Sequence, residues 1–317
     1  MDLATLPLFA RLAPARSVLL AGAGGGFDVF AGLPLYFALH ARGVRVHLAN
    51  LSFSKLDRAE GPRLAPAVVE VGPETSGSVR YFPERYLCQW LGANGFDARV
   101  YAFEKTGVAP LREAYEALVA ELSVDALVLV DGGTDSLLRG DESGLGTPEE
   151  DMTSIAAVDD LAVRDKLLVS IGFGVDGHHG VCHAQVLETV AAFGKEGGFL
   201  GAFSLLPGMR EFAAYKAAVE FVHAEMPEAP SIVNASIVSA VEGDYGDVHR
   251  THRTRGSELF INPIMAMYFA FELSAVARRV LYLPRLKDTR TAHEVTAIIE
   301  DFQRGCGPLR PWAAIPI

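Results

Sequence analysis

Short, almost uninterrupted apolar runs recur along this chain, and the most apolar of them, Ala126-Leu127-Val128-Leu129-Val130, passes directly into Asp131-Gly132-Gly133. A strand with no polar alternation is buried on both faces, which is the habit of a parallel sheet covered by helices. Comparable runs at residues 17–21, 44–49, 99–103, 167–171, 200–205, 231–238 and 280–283 are predicted as strands. Helical patterns lie between them: an apolar segment from 29 to 41, then 111–122, 152–163, 184–193, 209–224, 263–276 and 292–302. Pro110 and Pro263 suit first helical turns, and Thr291 with Glu294 forms a capping-box pattern. Alternation of this kind predicts an α/β fold: an open, mostly parallel sheet with helices on both faces and right-handed crossovers.

The chain has 317 residues, half of them hydrophobic, enough for one large α/β domain over 1–317 without staples. Residues 57–83 are rich in Pro and Gly and are expected to form a lid, an insertion or an ordinary long loop. The net charge of -11 and the absence of a basic stripe argue against nucleic acid or an anionic membrane surface as partner. Cys88, Cys182 and Cys306 are far apart with no CxxC pair, so neither a disulfide framework nor a structural zinc site is expected. The first sixteen residues do not read as a signal peptide, and no apolar run reaches the ~20 residues of a membrane span. A cytoplasmic location is the expectation.

Chemistry-bearing residues gather where the predicted strands end. Gly22-Ala23-Gly24-Gly25-Gly26-Phe27-Asp28 follows the first strand. Gly22, Gly24, Gly25 and Gly26 would let a backbone approach a ligand, as in nucleotide or phosphate contact, or would simply make a tight turn. The third glycine of a dinucleotide fingerprint would fall at Phe27. Asp28 caps the next helix or meets a sugar hydroxyl, an amine or a metal. Asp131 and Asp135, in Asp131-Gly132-Gly133-Thr134-Asp135-Ser136, follow the strongest strand, where open sheets bind ligands. Their oxygens suit Mg²⁺ or Ca²⁺, or sugar and amine recognition. Glu149, Glu150 and Asp151 read as charges favoured at a helix N-terminus.

A third cluster is Gly174-Val175-Asp176-Gly177-His178-His179, with His183 beyond. Asp176, His178 and His179 are acid–base candidates, since imidazole titrates near neutrality. His179 and His183 are four residues apart but lack an HExxH pattern, so zinc is the lesser alternative. A fourth polar stretch contains Glu242, Asp244, Asp247, His249, Arg250, Arg253, Arg255 and Glu258; its arginines either clamp an anion or form a solvated loop. No GxSxG elbow, P-loop or CxxC motif occurs. Cys182, beside His179 and His183, is either a nucleophile or an inert buried thiol.

Gly24-Gly25-Gly26-Phe27-Asp28-Val29 with Leu33-Pro34, Asp131-Gly132-Gly133-Thr134-Asp135 through Glu142, Gly144-Leu145 and Asp151, and Gly174-Val175-Asp176-Gly177 together resemble the prokaryotic domain-of-unknown-function 1152 family over nearly the whole chain. The resemblance implies a Rossmann-like fold and no particular activity. More distantly, Gly22-Ala23-Gly24 and Gly32-Leu33-Pro34 resemble elements of sirtuin-type NAD-consuming folds, which points toward nucleotide or ADP-ribose-like ligands.

The expected function is that of an enzyme acting by hydrolysis or group transfer on a small metabolite bearing a nucleotide, ribose or sugar. In this expectation the 22–26 loop and Asp28 hold the ligand, while Asp131, Asp135, Asp176, His178 and His179 supply the chemistry. The cofactor is left open between a divalent cation and a nucleotide. A non-catalytic metabolite-binding module and an NAD-dependent dehydrogenase are the alternatives. An apolar helix over 264–271, apolar nearly all round, suggests either a homo-oligomer or a buried core helix.

Overall fold

The computed structural model describes residues 5–78, 80–257 and 259–315, and in it the apolar runs build one nine-stranded sheet. The first half contains α1 (Pro7–Leu12), β1 (Ser17–Gly22), α2 (Asp28–Ala31), α3 (Leu33–His40), β2 (Arg45–Leu51), β3 (Arg63–Ala65), β4 (Val68–Val71), α4 (Pro83–Ala93), β5 (Val100–Phe103) and α5 (Val108–Glu121). The centre is β6 (Ala126–Asp131), α6 (Pro148–Asp159), β7 (Asp165–Ser170), α7 (His183–Glu196) and β8 (Phe199–Ser204). There follow α8 (Arg210–Glu225), α9 (Ile232–Glu242), β9 (Gly246–Asp247), β10 (Phe260–Ile261), β11 (Met267–Glu272), α10 (Leu273–Arg279), α11 (Leu283–Leu286) and α12 (Ala292–Gly305).

The sheet order is β3-β4-β5-β2-β1-β6-β7-β11-β8. Its five central strands, β5 to β7 in that order, are parallel. Both margins are antiparallel: β4 on β5 and β3 on β4 at one side, β11 between β7 and β8 at the other. Alternate residues of each central strand feed two cores. Val18, Leu20, Val128 and Val130 pack under α1–α4, α8 and α9, while Leu19, Ala21, Leu127 and Leu129 pack under α5–α7 and α10–α12. Burial on both faces is why these strands lack alternation. This is the Rossmann-like α/β arrangement.

After β1 the chain winds outward to β2 and β5, then returns to place β6 and β7 on the other side of β1. The order therefore reverses between β1 and β6, leaving a crevice beyond their carboxyl ends.

Three expected elements are corrected. Residues 231–238 are not a strand but most of α9, because Ser231 caps the helix by accepting from Asn234 N, and Gly243 ends it at φ 92°. The run 263–276 is not one helix: a 3-10 turn from Pro263 gives way to β11 and then α10. Aromatic residues Tyr268, Phe269 and Phe271 stand in a strand flanked on both sides, so the helix offered as a reason for oligomerisation does not exist. Residues 280–283 lead into α11 and form no strand. The 57–83 segment supplies β3 and β4 to the sheet margin. Among the described residues, no helix is long and apolar enough to cross a membrane.

Candidate functional site

The loops leaving β1, β6 and β7 meet over the crevice. Ala23 N donates to Val130 O (2.8 Å), Ile171 N to Asp131 O (3.1 Å), and Thr134 N to the Asp176 carboxylate (2.8 Å). A cleft of about 1320 Å³ opens above them. Gly24, Gly25, Gly26 and Asp28 line it, as do Asp131, Asp135, Asp176, His178 and His179. Gly22 does not. A Cβ there would lie 2.3 Å from Asn50 Oδ1, and Asn50 pins the loop from behind by donating to Gly26 O and accepting from Val29 N.

The floor is made of carboxylates, and the glycines make room for them. A Cβ on Gly24 would sit 2.6 Å from Asp151 Oδ2 and 2.8 Å from Asp28 Oδ2; one on Gly132 would meet Asp28 Oδ1 at 2.8 Å, and one on Gly133 would meet Asp176 Oδ2 at 2.5 Å. Gly24 N–H itself donates to Asp28 (2.6 Å). The helix that Asp28 opens is only four residues long.

Asp28, Asp131, Asp135, Asp151 and Asp176 are all buried. Burial, the largest cause in each case, disfavours the charged form. Asp28 is pushed up to about 8, against donation from Gly24 N and with added repulsion from Asp135. Asp131, Asp151 and Asp176 are raised well above the ordinary range by burial and then by the neighbouring carboxylates. Asp135 is raised by burial, although Thr147 N and Oγ1 donate to it. Asp131 accepts from Ser136 Oγ, whereas Asp151 Oδ1 has no donor. Asp28, Asp131 and Asp151 each offer one oxygen within 4.8 Å of the others, the group able to hold a metal ion among the described residues.

His178 and His179 lie at the side of this floor with ring centroids 3.9 Å apart. His178 Nδ1 is 2.8 Å from Val175 O; donation to that carbonyl leaves Nε2 as the free acceptor of the neutral ring. Burial and the adjacent His178 lower the His179 pKa, with Asp135 opposing. His183 instead opens α7 and packs on Phe173, so the His179/His183 zinc alternative gains no ligand group. Cys182 donates its thiol to Ala313 O and is buried.

The mouth of the cleft carries residues that no sequence motif marks apart from Arg253, with Arg58, Arg80 and Tyr81 coming from the 57–83 segment. Lys55, Arg58, Arg80 and Arg253 line the mouth, with the half-exposed ring of Phe53 and with Tyr81. Of the fourth polar stretch only Arg253 arrives here, held by donation to Pro230 O (2.9 Å); Arg250 pairs with Glu242 and His249 with Asp247. Glu258 lies outside the described residues. Asp151, whose position in sequence suits an ordinary helix-start charge, belongs to the floor; its place in the motif shared with Asp131 and Asp135 marks it. Glu150 lines the cleft and pairs with Lys105.

Sheet order, switch-point crevice and acidic floor define a Rossmann-like α/β protein with a ligand-sized cleft at the strand ends. Residues 19–303 match the family described as "Protein of unknown function (DUF1152)", and the chain belongs to that family. Comparison with curated proteins returns no match, and comparison with solved structures returns none.

Proposed function

We propose that the chain is an enzyme acting by hydrolysis or group transfer on a small polar metabolite that carries a nucleotide, ribose or sugar group. The observation that carries this reading is the meeting of His178, whose Nδ1 is held by Val175 O, and the buried carboxylates Asp135 and Asp176, both raised from their ordinary value by burial, along one cleft at the switch point. A general acid is favoured by a raised carboxyl pKa and a general base by an imidazole within reach; groups of both types border the same space. The cleft exceeds the roughly 300–1,000 Å³ usual for drug-sized ligands, leaving room for a sugar with its base and phosphates. Lys55, Arg58, Arg80 and Arg253 suit the anionic end of such a ligand, and Phe53 offers a face on which a base stacks. Asp28 and Asp131 would receive hydroxyls or a cation.

One observation favours the rival, a non-catalytic binding module: Asp135 and Asp176 both accept backbone N–H bonds that tie loops together. The two readings separate on a panel of ADP-ribose, NAD, nucleoside di- and triphosphates and sugar phosphates. The enzyme reading expects the wild type to convert a member of the panel, and the His178→Ala/His179→Ala double variant to bind it without conversion. Binding without conversion by the wild type would establish the module instead.

A further inference from the structure

We propose that Asp28, Asp131 and Asp151 form a binding site for a hard divalent cation, Mg²⁺ or Mn²⁺, on the floor of the cleft. This deepens the enzyme reading of the same cleft and rests on it only for what the cation would act upon.

The three carboxylates come from three separate elements: the first residue of α2, the last residue of β6 and the first turn of α6. One oxygen from each lies within 4.8 Å of the other two. Ligands of an octahedral Mg²⁺ at 2.0–2.1 Å are roughly 3 Å apart when adjacent and roughly 4 Å when opposite, so small side-chain adjustments bring all three onto one ion.

A second observation points to an occupant. Asp151 is 2% exposed, yet its Oδ1 has no hydrogen-bond donor. Its neighbours are supplied: Asp28 by Gly24 N, Asp131 by Ser136 Oγ, Asp135 by Thr147 and Asp176 by Thr134 N. A carboxylate oxygen shut away from water without a partner is costly. Among the described residues no ion pair reaches Asp151, and Lys105, near the start of α6, is engaged by Glu150. The absence of a side chain on Gly24 lets Asp28 and Asp151 close over the same spot.

An all-oxygen donor set with no imidazole or thiolate selects Mg²⁺ or Mn²⁺ over zinc. Mg²⁺ usually takes one or two carboxylates and leaves its remaining positions to water and substrate phosphate. Here those positions would face a cleft whose mouth carries Lys55, Arg58, Arg80 and Arg253, so a phosphate oxygen could lie between the cation and the arginines.

The test uses full-length protein freed of metal by chelation, titrated with Mn²⁺ and followed by electron paramagnetic resonance of the free ion. One Mn²⁺ bound per chain, displaced by Mg²⁺, is expected. Asp151→Asn should weaken binding by at least about tenfold, the scale on which even outer-shell partners act. Asp57→Asn, at an exposed position, should leave it unchanged. Metal-free melting temperature of Asp151→Asn at or above that of wild type would show that the variant is folded; Asp131→Asn is the second variant should it not be. No Mn²⁺ on the wild type, or binding undiminished in the folded variants, overturns the site. The readout is independent of turnover. Mn²⁺ binding without any conversion keeps the cation site and removes the enzyme reading; conversion indifferent to chelator, with no Mn²⁺ bound, does the reverse.

Discussion

Gly24 has no need of an unusual backbone; what it needs is the absence of a Cβ, because three oxygens of two carboxylates stand less than 3 Å from where one would be. Gly24→Ala should therefore force Asp28 and Asp151 apart and destabilise the fold by about 1–3 kcal/mol, the usual cost of overpacking. Gly194 provides the contrast. It lies within α7, and a Cβ there would meet nothing within 4 Å. Gly194→Ala should stabilise by about 0.5–1 kcal/mol through backbone entropy and helix propensity. Urea unfolding of the two variants reads both signs; equal effects would mean that Gly24 is not packed against the acidic floor. From sequence, the 22–26 glycines read either as a ligand cradle or as a tight turn. Glycine spacing alone does not tell whether the space it frees belongs to a ligand or to the protein's own side chains.

Among the elements, strands buried on both faces were the legible ones. β1, β2, β5, β6 and β7 were recognised because residues that face a core on either side are mostly apolar, and β8 by its apolar sequence, although it is an edge strand and only partly buried. The same property misled twice. α9 is so thoroughly covered that its stripe is lost, and Ile232, Val233, Ile237 and Val238 read as a strand. β11 is apolar up to its last residue, Glu272, and follows a proline, and so read as a helix. Periodicity carries no information where both faces are buried. End signals did survive. At α12, Thr291 Oγ1 accepts from Glu294 N (3.2 Å) while Glu294 accepts from Thr291 N (3.3 Å), as its four-residue pattern indicated. Thr291→Ala should lower stability by about 1 kcal/mol. Mn²⁺ affinity should be unchanged, since Thr291 does not line the cleft. A joint loss of both in this variant would mean that α12 supports the acidic floor.

At the scale of the whole molecule, the switch point brings together carboxylates that were separated by more than a hundred residues in the chain, and this has a consequence for stability against pH. The Asp28 carboxyl has an ordinary value of 3.8 and stands at about 8 in the fold. The folded state thus holds a proton that the unfolded chain releases, and stability falls as pH rises. The contribution is fully present below about 3.8 and is lost as pH passes about 8. Asp131, Asp135, Asp151 and Asp176 shift in the same direction, so their slopes reinforce it. Ion-paired groups act elsewhere: Asp97, Asp165, Glu211 and Glu242 are lowered, so their contribution is lost only as pH falls below the ordinary carboxylate range. Buried His223, lowered from 6.5 to about 4, adds stability as pH rises between those values and nothing above them. The window from pH 6.5 to 8 therefore excludes the lowered groups and is left to the raised carboxylates, the acidic floor together with Glu84, Glu150 and Asp159, which burial raises in the same direction. In chelator-treated protein the urea midpoint should decline across that window, and Asp28→Asn should make the decline shallower. Saturating Mg²⁺ should flatten it in the wild type, since a bound cation takes over from the protons that the carboxylates otherwise retain. A midpoint that rises with pH over the same range would mean that these five carboxylates are not held together away from water.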